Sequence, residues 1–243
     1  MNEKVLLELN MKIEDTNIKK FIAISDIISL LNMSCGFFST LSSINHNFEL
    51  AALFMIFAIM FDSVDGWVAR KTNRQDTLGF GKNIDSLSDA ISFGLAPAVF
   101  LYSTINTTST IIQPIVILIS LFIVICGVLR LTRYNVIADM IETKDFIGFP
   151  IPGIAFLLAT YYLSGLYDIY FALILSLAVS MLMISTVIYP KFDNIPILAI
   201  SVILIVLLIL PFKIVLLGIN IPALLLLIFC LYYLIINLIK NYI

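Results

Sequence analysis

Long apolar runs are the feature that most constrains how this chain can fold. A helix needs about twenty apolar residues to cross the roughly 30 Å of hydrocarbon in a bilayer. The chain offers eight such stretches, which we place at 21–44, 48–69, 84–104, 111–134, 150–165, 168–188, 195–211 and 214–238. With 61% hydrophobic residues, 12% charged residues and a mean hydropathy of +1.08, the composition is not that of a soluble domain. The sequence predicts an all-α, polytopic integral membrane helical bundle of about eight transmembrane helices.

The N-terminal segment and the distribution of positive charge predict the orientation. The first twenty residues are too charged for a signal peptide, and Leu6, Leu9 and Ile13 share one helical face, so we expect a short amphipathic helix at the membrane surface. With the N-terminus inside, only Lys213 of the 14 Lys and Arg residues falls outside. We therefore expect a multi-pass cell-membrane protein with both termini and the 70–83 loop in the cytoplasm. The net charge of -2 offers no basic surface for nucleic acid.

Four aspartates interrupt the apolar pattern: Asp62 and Asp65 at the end of the second span, and Asp85 and Asp89 at the start of the third. Residues three or four apart share a helix face, and antiparallel spans can bring the two pairs together. A carboxylate near the bilayer centre costs about 2.5–3.5 kcal/mol, which bound cations would offset. Carboxylate oxygens suit Mg²⁺ or Mn²⁺, with Ca²⁺ as another occupant, and bridging carboxylates hold two ions about 3.5–4 Å apart. The four aspartates therefore predict a site for two divalent cations, suited to chemistry at phosphorus.

Other interpretations of this segment stay open. Acidic residues can cap the start of a helix, which would explain Asp85 but not Asp62 and Asp65 near a helix C-terminus. A cation transporter could line its path with the same carboxylates, although all four lie near one side of the membrane. Gly66 and Ala69, on the same helix face as the first acidic pair, either let another helix approach or leave room for a flat ligand.

The spacing of these residues carries a family likeness. Asp62-x-x-Asp65-Gly66-x-x-Ala69-Arg70 followed by Gly81-x-x-x-Asp85-x-x-x-Asp89 resembles the signature of the CDP-alcohol phosphatidyltransferases, integral membrane enzymes that join an alcohol to a phosphatidyl group with loss of CMP. Five further segments resemble the phosphatidylserine synthase branch of this family: LLNMSCGFFS (31–40), DSLSDAISFGLAPA (85–98), CGVLRLTRYNV (126–136), FIGFPIPG (146–153) and LMISTVIYPKF (182–192). Where that branch often has Pro-Asn in span one, this chain has Ser25-Asp26.

The resemblance implies a division of the chain and a reaction. It covers residues 21–192, which would be a catalytic core of six helices; the amphipathic segment at 1–20 precedes this core, and two additional transmembrane helices at 193–243 follow it. The implied reaction transfers a phosphatidyl group, or its ether-lipid equivalent, from a CDP-activated lipid to the hydroxyl of L-serine and releases CMP, in phospholipid biosynthesis. The implied assembly is a homodimer. A related transferase that uses glycerol phosphate or inositol phosphate is the alternative within the family.

The resemblance also implies residue roles. The metal ligands would be Asp62, Asp65 and Asp85, with Asp89 beside them as a further ligand and as the general base. The nucleotide-binding residues would be Asp62, Asp65, Gly66, Ala69, Arg70 and Gly81.

Two arginines near the end of the fourth span form a second candidate group. Arg130 and Arg133 lie one turn apart, and Asn135 follows. Because a guanidinium can bind a carboxylate or phosphate through two parallel hydrogen bonds, we predict that these residues bind the serine or the lipid phosphate. The alternative is that both arginines only anchor the span by extending to the membrane surface.

Overall fold

Eight helices make up most of the structure, a computed structural model that describes residues 17–72, 79–105, 112–138, 145–190, 195–210 and 214–242. After a 3₁₀ turn at Ile18–Lys20, they are α1 Ile24–Ile44, α2 Phe48–Lys71, α3 Phe80–Ser103, α4 Ile112–Ala138, α5 Pro152–Leu163, α6 Ile169–Ile184, α7 Ile195–Ile209 and α8 Ile221–Tyr242. Each lies on a predicted apolar run, so the helical fold is confirmed. The predicted amphipathic helix lies almost wholly outside the described residues.

The helix lengths and the outer surface are those of a membrane protein. Four helical stretches among the described residues are long and apolar enough to cross a membrane: Ile24–Ile44, Phe80–Ser103, Ile112–Ile137 and Ile221–Lys240. Large apolar side chains such as Leu118, Ile174 and Ile203 are exposed on the bundle's outer face, where lipid would cover them. The finer prediction of about eight transmembrane helices stays a prediction.

Two short antiparallel pairs join the helix ends. Strand β1 (Phe146–Ile147) pairs with β2 (Ile188–Tyr189), with Phe146 opposite Tyr189. Strands β3 (Val215–Leu216) and β4 (Ile219–Asn220) form a hairpin. The predicted start of the last span at 214 is therefore wrong, because the apolar residues 215–220 form this hairpin and α8 begins at Ile221. Leu217 and Gly218, both at positive φ, allow the tight turn.

Helix α3 contains a π-helical segment, Ala90–Leu95, where the sequence predicted a regular helix. The backbone N–H of Ala96 bonds to the carbonyl of Ile91, five residues earlier. Pro97 follows and has no N–H to give to an α-helical bond, which favours the wider turn at this point. The π-helical segment begins directly after Asp89, so it changes the direction in which the rest of α3 faces relative to that residue.

Helix α1 packs against both α2 and α3. The contact with α3 is close because Gly36 has no side chain: a Cβ added there would lie 2.5 Å from the Cα of Ser92. At the other end of the chain, α8 packs on α5, and the Tyr233 hydroxyl donates to the carbonyl of Pro190 at 2.9 Å. The last helix is thus part of the same bundle, whereas the predicted division into segments stays a prediction.

Candidate active site

The four aspartates of α2 and α3 converge, and we call Asp62, Asp65, Asp85 and Asp89 the acidic cluster. One carboxylate oxygen from each of the first three lies within 4.8 Å of the others. The Asp89 carboxyl interacts electrostatically with those of Asp62 and Asp85. Asp65 and Asp89 are buried, each with 6% exposure, whereas Asp62 and Asp85 are half-buried. The acidic cluster therefore has both an inner wall and an accessible side.

The capping interpretation of Asp85 and Asp89 is wrong. Helix α3 begins at Phe80 with Gly79 as its N-cap, earlier than the predicted start at 84. Asp85 and Asp89 consequently lie in the second and third turns of α3, where backbone N–H groups already have partners within the helix. Their side chains are not needed to accept hydrogen bonds from the first backbone N–H groups of the helix, so capping does not explain the acidic residues at these positions.

Helix α1 supplies the inner wall of the acidic cluster through two polar side chains one turn apart. The Ser29 hydroxyl donates to Asp65 Oδ2 at 2.7 Å, and the Asn32 side-chain amide donates to Asp89 Oδ1 at 3.1 Å. Neither residue was identified from the sequence. The available signal was the recurrence of polar and small residues along one face of span one: Ser25, Asp26, Ser29, Asn32, Gly36, Ser39 and Ser43. Asp26 itself accepts a hydrogen bond from the backbone N–H of Ala23 at 2.9 Å, at the start of α1.

Arg130 of α4 lies beside the acidic cluster. Its guanidinium interacts electrostatically with Asp89 and Asp62, and its carbon centre is 5.5 Å from the ring centroid of Tyr134 and 5.6 Å from that of Phe146. The side chain is buried, with 6% exposure, and its Nε atom has no hydrogen-bond partner among the described residues. A buried guanidinium nitrogen without an acceptor destabilises the fold. Such a nitrogen is expected at a binding site, because a bound ligand can supply the acceptor.

Arg133, one turn further on, has different partners. Its Nη1 donates to the carbonyls of Ile184 and Ser185 at 2.9 and 3.0 Å, and its Nη2 donates to those of Ile147 and Met183 at 2.8 and 2.9 Å. We call these four hydrogen bonds the Arg133 clamp. The clamp joins α4 to the C-terminal end of α6 and to β1. The sequence predicts that these two terminal nitrogens bind an anion, but in the structure both are bonded to backbone carbonyls.

Asn135 connects α4 to the first turns of α3. Its side-chain amide donates to the Ser86 hydroxyl at 2.7 Å, and its backbone carbonyl accepts from Lys82 Nζ at 2.6 Å. Ser86 directly follows Asp85 in the chain, so this bridge joins α4 to the part of α3 that carries Asp85.

The predicted nucleotide-binding residues lie around the acidic cluster. Gly66 and Ala69 are half-buried on α2, immediately after the first acidic pair, and Gly81 is buried near the start of α3. The side chain of Arg70 lies outside the described part of the structure.

The donor atoms of the acidic cluster suit hard divalent cations. Carboxylate oxygens are the ligands that Mg²⁺ and Mn²⁺ prefer, and three of them from separate residues approach one another within 4.8 Å. Among the described residues, no other group of His, Cys, Asp and Glu side chains converges in this way. The residues present therefore fit the predicted metal site.

Comparison with known proteins adds independent information. Residues 22–240 match the family model described as CDP-alcohol phosphatidyltransferase. The chain is 47% identical to the archaetidylserine synthase of Methanothermobacter thermautotrophicus over 180 residues, which are 74% of this chain and 75% of the relative. It is 38% identical to the CDP-diacylglycerol–serine O-phosphatidyltransferase of Methanocaldococcus jannaschii over 73% of this chain and 79% of the relative. The chain is also 34% identical to the CDP-diacylglycerol–serine O-phosphatidyltransferase of Bacillus subtilis, over 69% of this chain and 90% of the relative.

The match to the family model includes the whole of the acidic cluster and extends into the last helix of the bundle. The resemblance read from the aspartate spacing is confirmed. The chain belongs to the CDP-alcohol phosphatidyltransferase family.

Proposed function

We propose that this protein transfers a phosphatidyl group, or its ether-lipid equivalent, from a CDP-activated lipid to the hydroxyl of L-serine, releasing CMP. The convergence of Asp62, Asp65 and Asp85 within 4.8 Å carries the proposal, because a diphosphate substrate needs concentrated positive charge that such a group can recruit. The names of the relatives support serine as the acceptor. The pathway is phospholipid biosynthesis.

In this proposal Asp62, Asp65 and Asp85 hold two divalent cations, Mg²⁺ or Mn²⁺, with Asp89 near them. When bound, the cations neutralise the diphosphate and the charge that develops on departing CMP. Gly66, Ala69 and Gly81 leave space beside the carboxylates for the cytidine nucleotide, and Arg70 belongs to the same proposed binding site. The small residues at these positions support this assignment.

Asp89 is the proposed general base. The serine oxygen bonds to the phosphorus that carries the lipid, the bond from that phosphorus to the CMP oxygen breaks, and the serine proton passes to Asp89. Its position supports this role: it adjoins the group of three close carboxylates, and one of its oxygens is already held by Asn32. The other oxygen is the proton acceptor in this scheme.

Arg130 is the proposed anion-binding residue, for the serine carboxylate or the lipid phosphate. Three observations support this role: its burial, its electrostatic interaction with Asp89, and an Nε atom for which the described residues supply no hydrogen-bond partner. We assign Arg133 and Asn135 to positioning, since Arg133 Nη1 and Nη2 are engaged in the Arg133 clamp and Asn135 bridges to α3. We further propose that the site faces the cytoplasm and that the protein forms a homodimer.

The test is CMP release by purified protein. A CDP-activated diacyl lipid and a CDP-activated isoprenoid ether lipid are each supplied with serine, glycerol phosphate or inositol phosphate, with and without a chelator. Chelator-sensitive release with serine alone is expected, and comparison of the two lipids identifies the chain type.

Other outcomes point elsewhere. Release with a phosphorylated alcohol in place of serine would show that the acceptor is wrong. An absence of release with every acceptor would favour the cation transporter, which uptake of Mn²⁺ into reconstituted vesicles would then detect.

A further inference from the structure

Asn32 is fully buried in the middle of α1, and both its side chain and its backbone bond to α3. Its side-chain amide donates to Asp89 Oδ1 at 3.1 Å, and its backbone carbonyl accepts from the Ser92 hydroxyl at 2.9 Å. These contacts lie on either side of the start of the π-helical segment at Ala90. The Asn32 donor is thus fixed relative to the stretch of α3 that carries Asp89.

The other half of the Asn32 amide indicates that packing alone does not explain the residue. Its Oδ1 atom is buried and has no hydrogen-bond partner in the part of the chain that the structure describes. A buried acceptor without a partner destabilises a fold, and a leucine of similar size would avoid that cost. The benefit of asparagine at this position therefore lies in its N–H group, which bonds to Asp89.

A hydrogen bond to one oxygen of a carboxylate restricts rotation of the whole group. With Oδ1 held by Asn32, the second oxygen of Asp89 points in a direction set by α1. Ser29 makes the corresponding contact with Asp65, one turn earlier. One face of α1 thus orients one carboxylate from α2 and one from α3.

We infer that Asn32 is a positioning residue that orients Asp89 to receive the proton of the acceptor alcohol. This inference rests on the proposed function, in which Asp89 is the general base. It assigns Asn32 to the proton-transfer step and Ser29 to the geometry of the metal ligands. The two residues should therefore affect different measurements.

The experiment compares Asn32→Leu, Ser29→Ala and Ser34→Ala with the unmodified protein. Ser34 lies on the same helix, and its hydroxyl bonds only to the Leu30 carbonyl of that helix among the described contacts, so Ser34→Ala is the matched control. We expect Asn32→Leu to lower kcat by roughly 10- to 100-fold, with the KM for the CDP-activated lipid and the Kd for Mn²⁺ each within about 2-fold. Ser29→Ala should instead raise the Kd for Mn²⁺. Thermal unfolding checks that each variant is folded.

A double variant tests whether Asn32 acts through Asp89. If it does, adding Asn32→Leu to Asp89→Asn should lower kcat by no more than about 2-fold further. The inference is overturned if Asn32→Leu keeps a kcat within about 3-fold of the unmodified protein, if its defect lies in KM or in Mn²⁺ binding, or if the two effects multiply. Failure of the proposed function is a separate result, because the unmodified protein would then release no CMP with serine.

Discussion

The acidic cluster and the Arg133 clamp both place charged side chains inside an apolar bundle, but they satisfy those charges differently. Nη1 and Nη2 of Arg133 donate to four backbone carbonyls, so this guanidinium is satisfied by the fold itself. In the acidic cluster, three carboxylates approach one another within 4.8 Å, and the buried Nε of the nearby Arg130 has no hydrogen-bond partner within the described ranges. A charge satisfied by backbone atoms stabilises the structure, whereas several carboxylates of the same charge held close together indicate a site for a cationic ligand.

The comparison leads to opposite expectations for mutations in the two regions. Neutralising a residue of the acidic cluster should lower activity strongly without a marked loss of stability. Removing the Arg133 side chain should destabilise the protein.

The largest effect is expected for Asp62→Asn. Removing one of three convergent carboxylates should lower CMP release on the order of 10³-fold or more, because positive charge can no longer be held at the diphosphate. In chelator, the variant should be as stable as the unmodified protein or about 1 kcal/mol more stable, since mutual repulsion is reduced. CMP release measures the loss of activity, and thermal unfolding with and without Mn²⁺ measures the stability. A marked loss of stability in chelator would place Asp62 among the structural residues instead.

Asp89→Asn should come next. As the loss of a general base, it should lower kcat by roughly 10²- to 10⁴-fold while the affinity for CDP stays within a few-fold of the original value. Steady-state kinetics and equilibrium binding of CDP separate the two quantities. A variant that loses CDP affinity in proportion to kcat would show that Asp89 acts in binding.

Arg133→Ala tests the clamp. Four carbonyls lose their donor, so we expect a loss of about 2–4 kcal/mol in the free energy of unfolding, seen as a lower thermal midpoint in detergent. Arg133→Lys should recover part of it, because an ammonium can still donate to some of these carbonyls. A variant with unchanged stability but a much higher KM for serine would instead support direct binding of the substrate by Arg133.

Gly148→Ala should give the smallest of these effects. Gly148 lies between β1 and α5 at φ +79, and an added Cβ would meet the carbonyl oxygen of Met183 and Nη2 of Arg133. Strain at positive φ and displacement of the clamp should together cost about 1–3 kcal/mol. Thermal unfolding measures the loss, and Gly218→Ala, at φ +82 and with no described atom within 4 Å of the added Cβ, isolates the backbone contribution. Equal losses in both variants would show that the clamp is not disturbed.

Residues with local signals were the ones that the sequence could identify. Asp62 and Asp65, and likewise Asp85 and Asp89, share helix faces by their spacing alone, and the structure brings all four together. Ser29 and Asn32 were missed because single polar residues in a span are common, and nothing local indicates which neighbouring helix they face. Arg130 and Arg133 had identical local signals, and only their surroundings distinguish them.

By itself, the sequence determined the helical membrane fold, the approximate position of each helix apart from the start of α8, and the family to which the acidic spacing belongs. It could do so because helix length and face depend on residues close together in the chain. The tertiary structure decided that α1 contacts the buried side of the acidic cluster and that the terminal nitrogens of Arg133 bond to backbone carbonyls. It also decided where α3 adopts a π-helical turn and that 215–220 form a hairpin. These features depend on contacts between segments far apart in the chain, which no local pattern encodes.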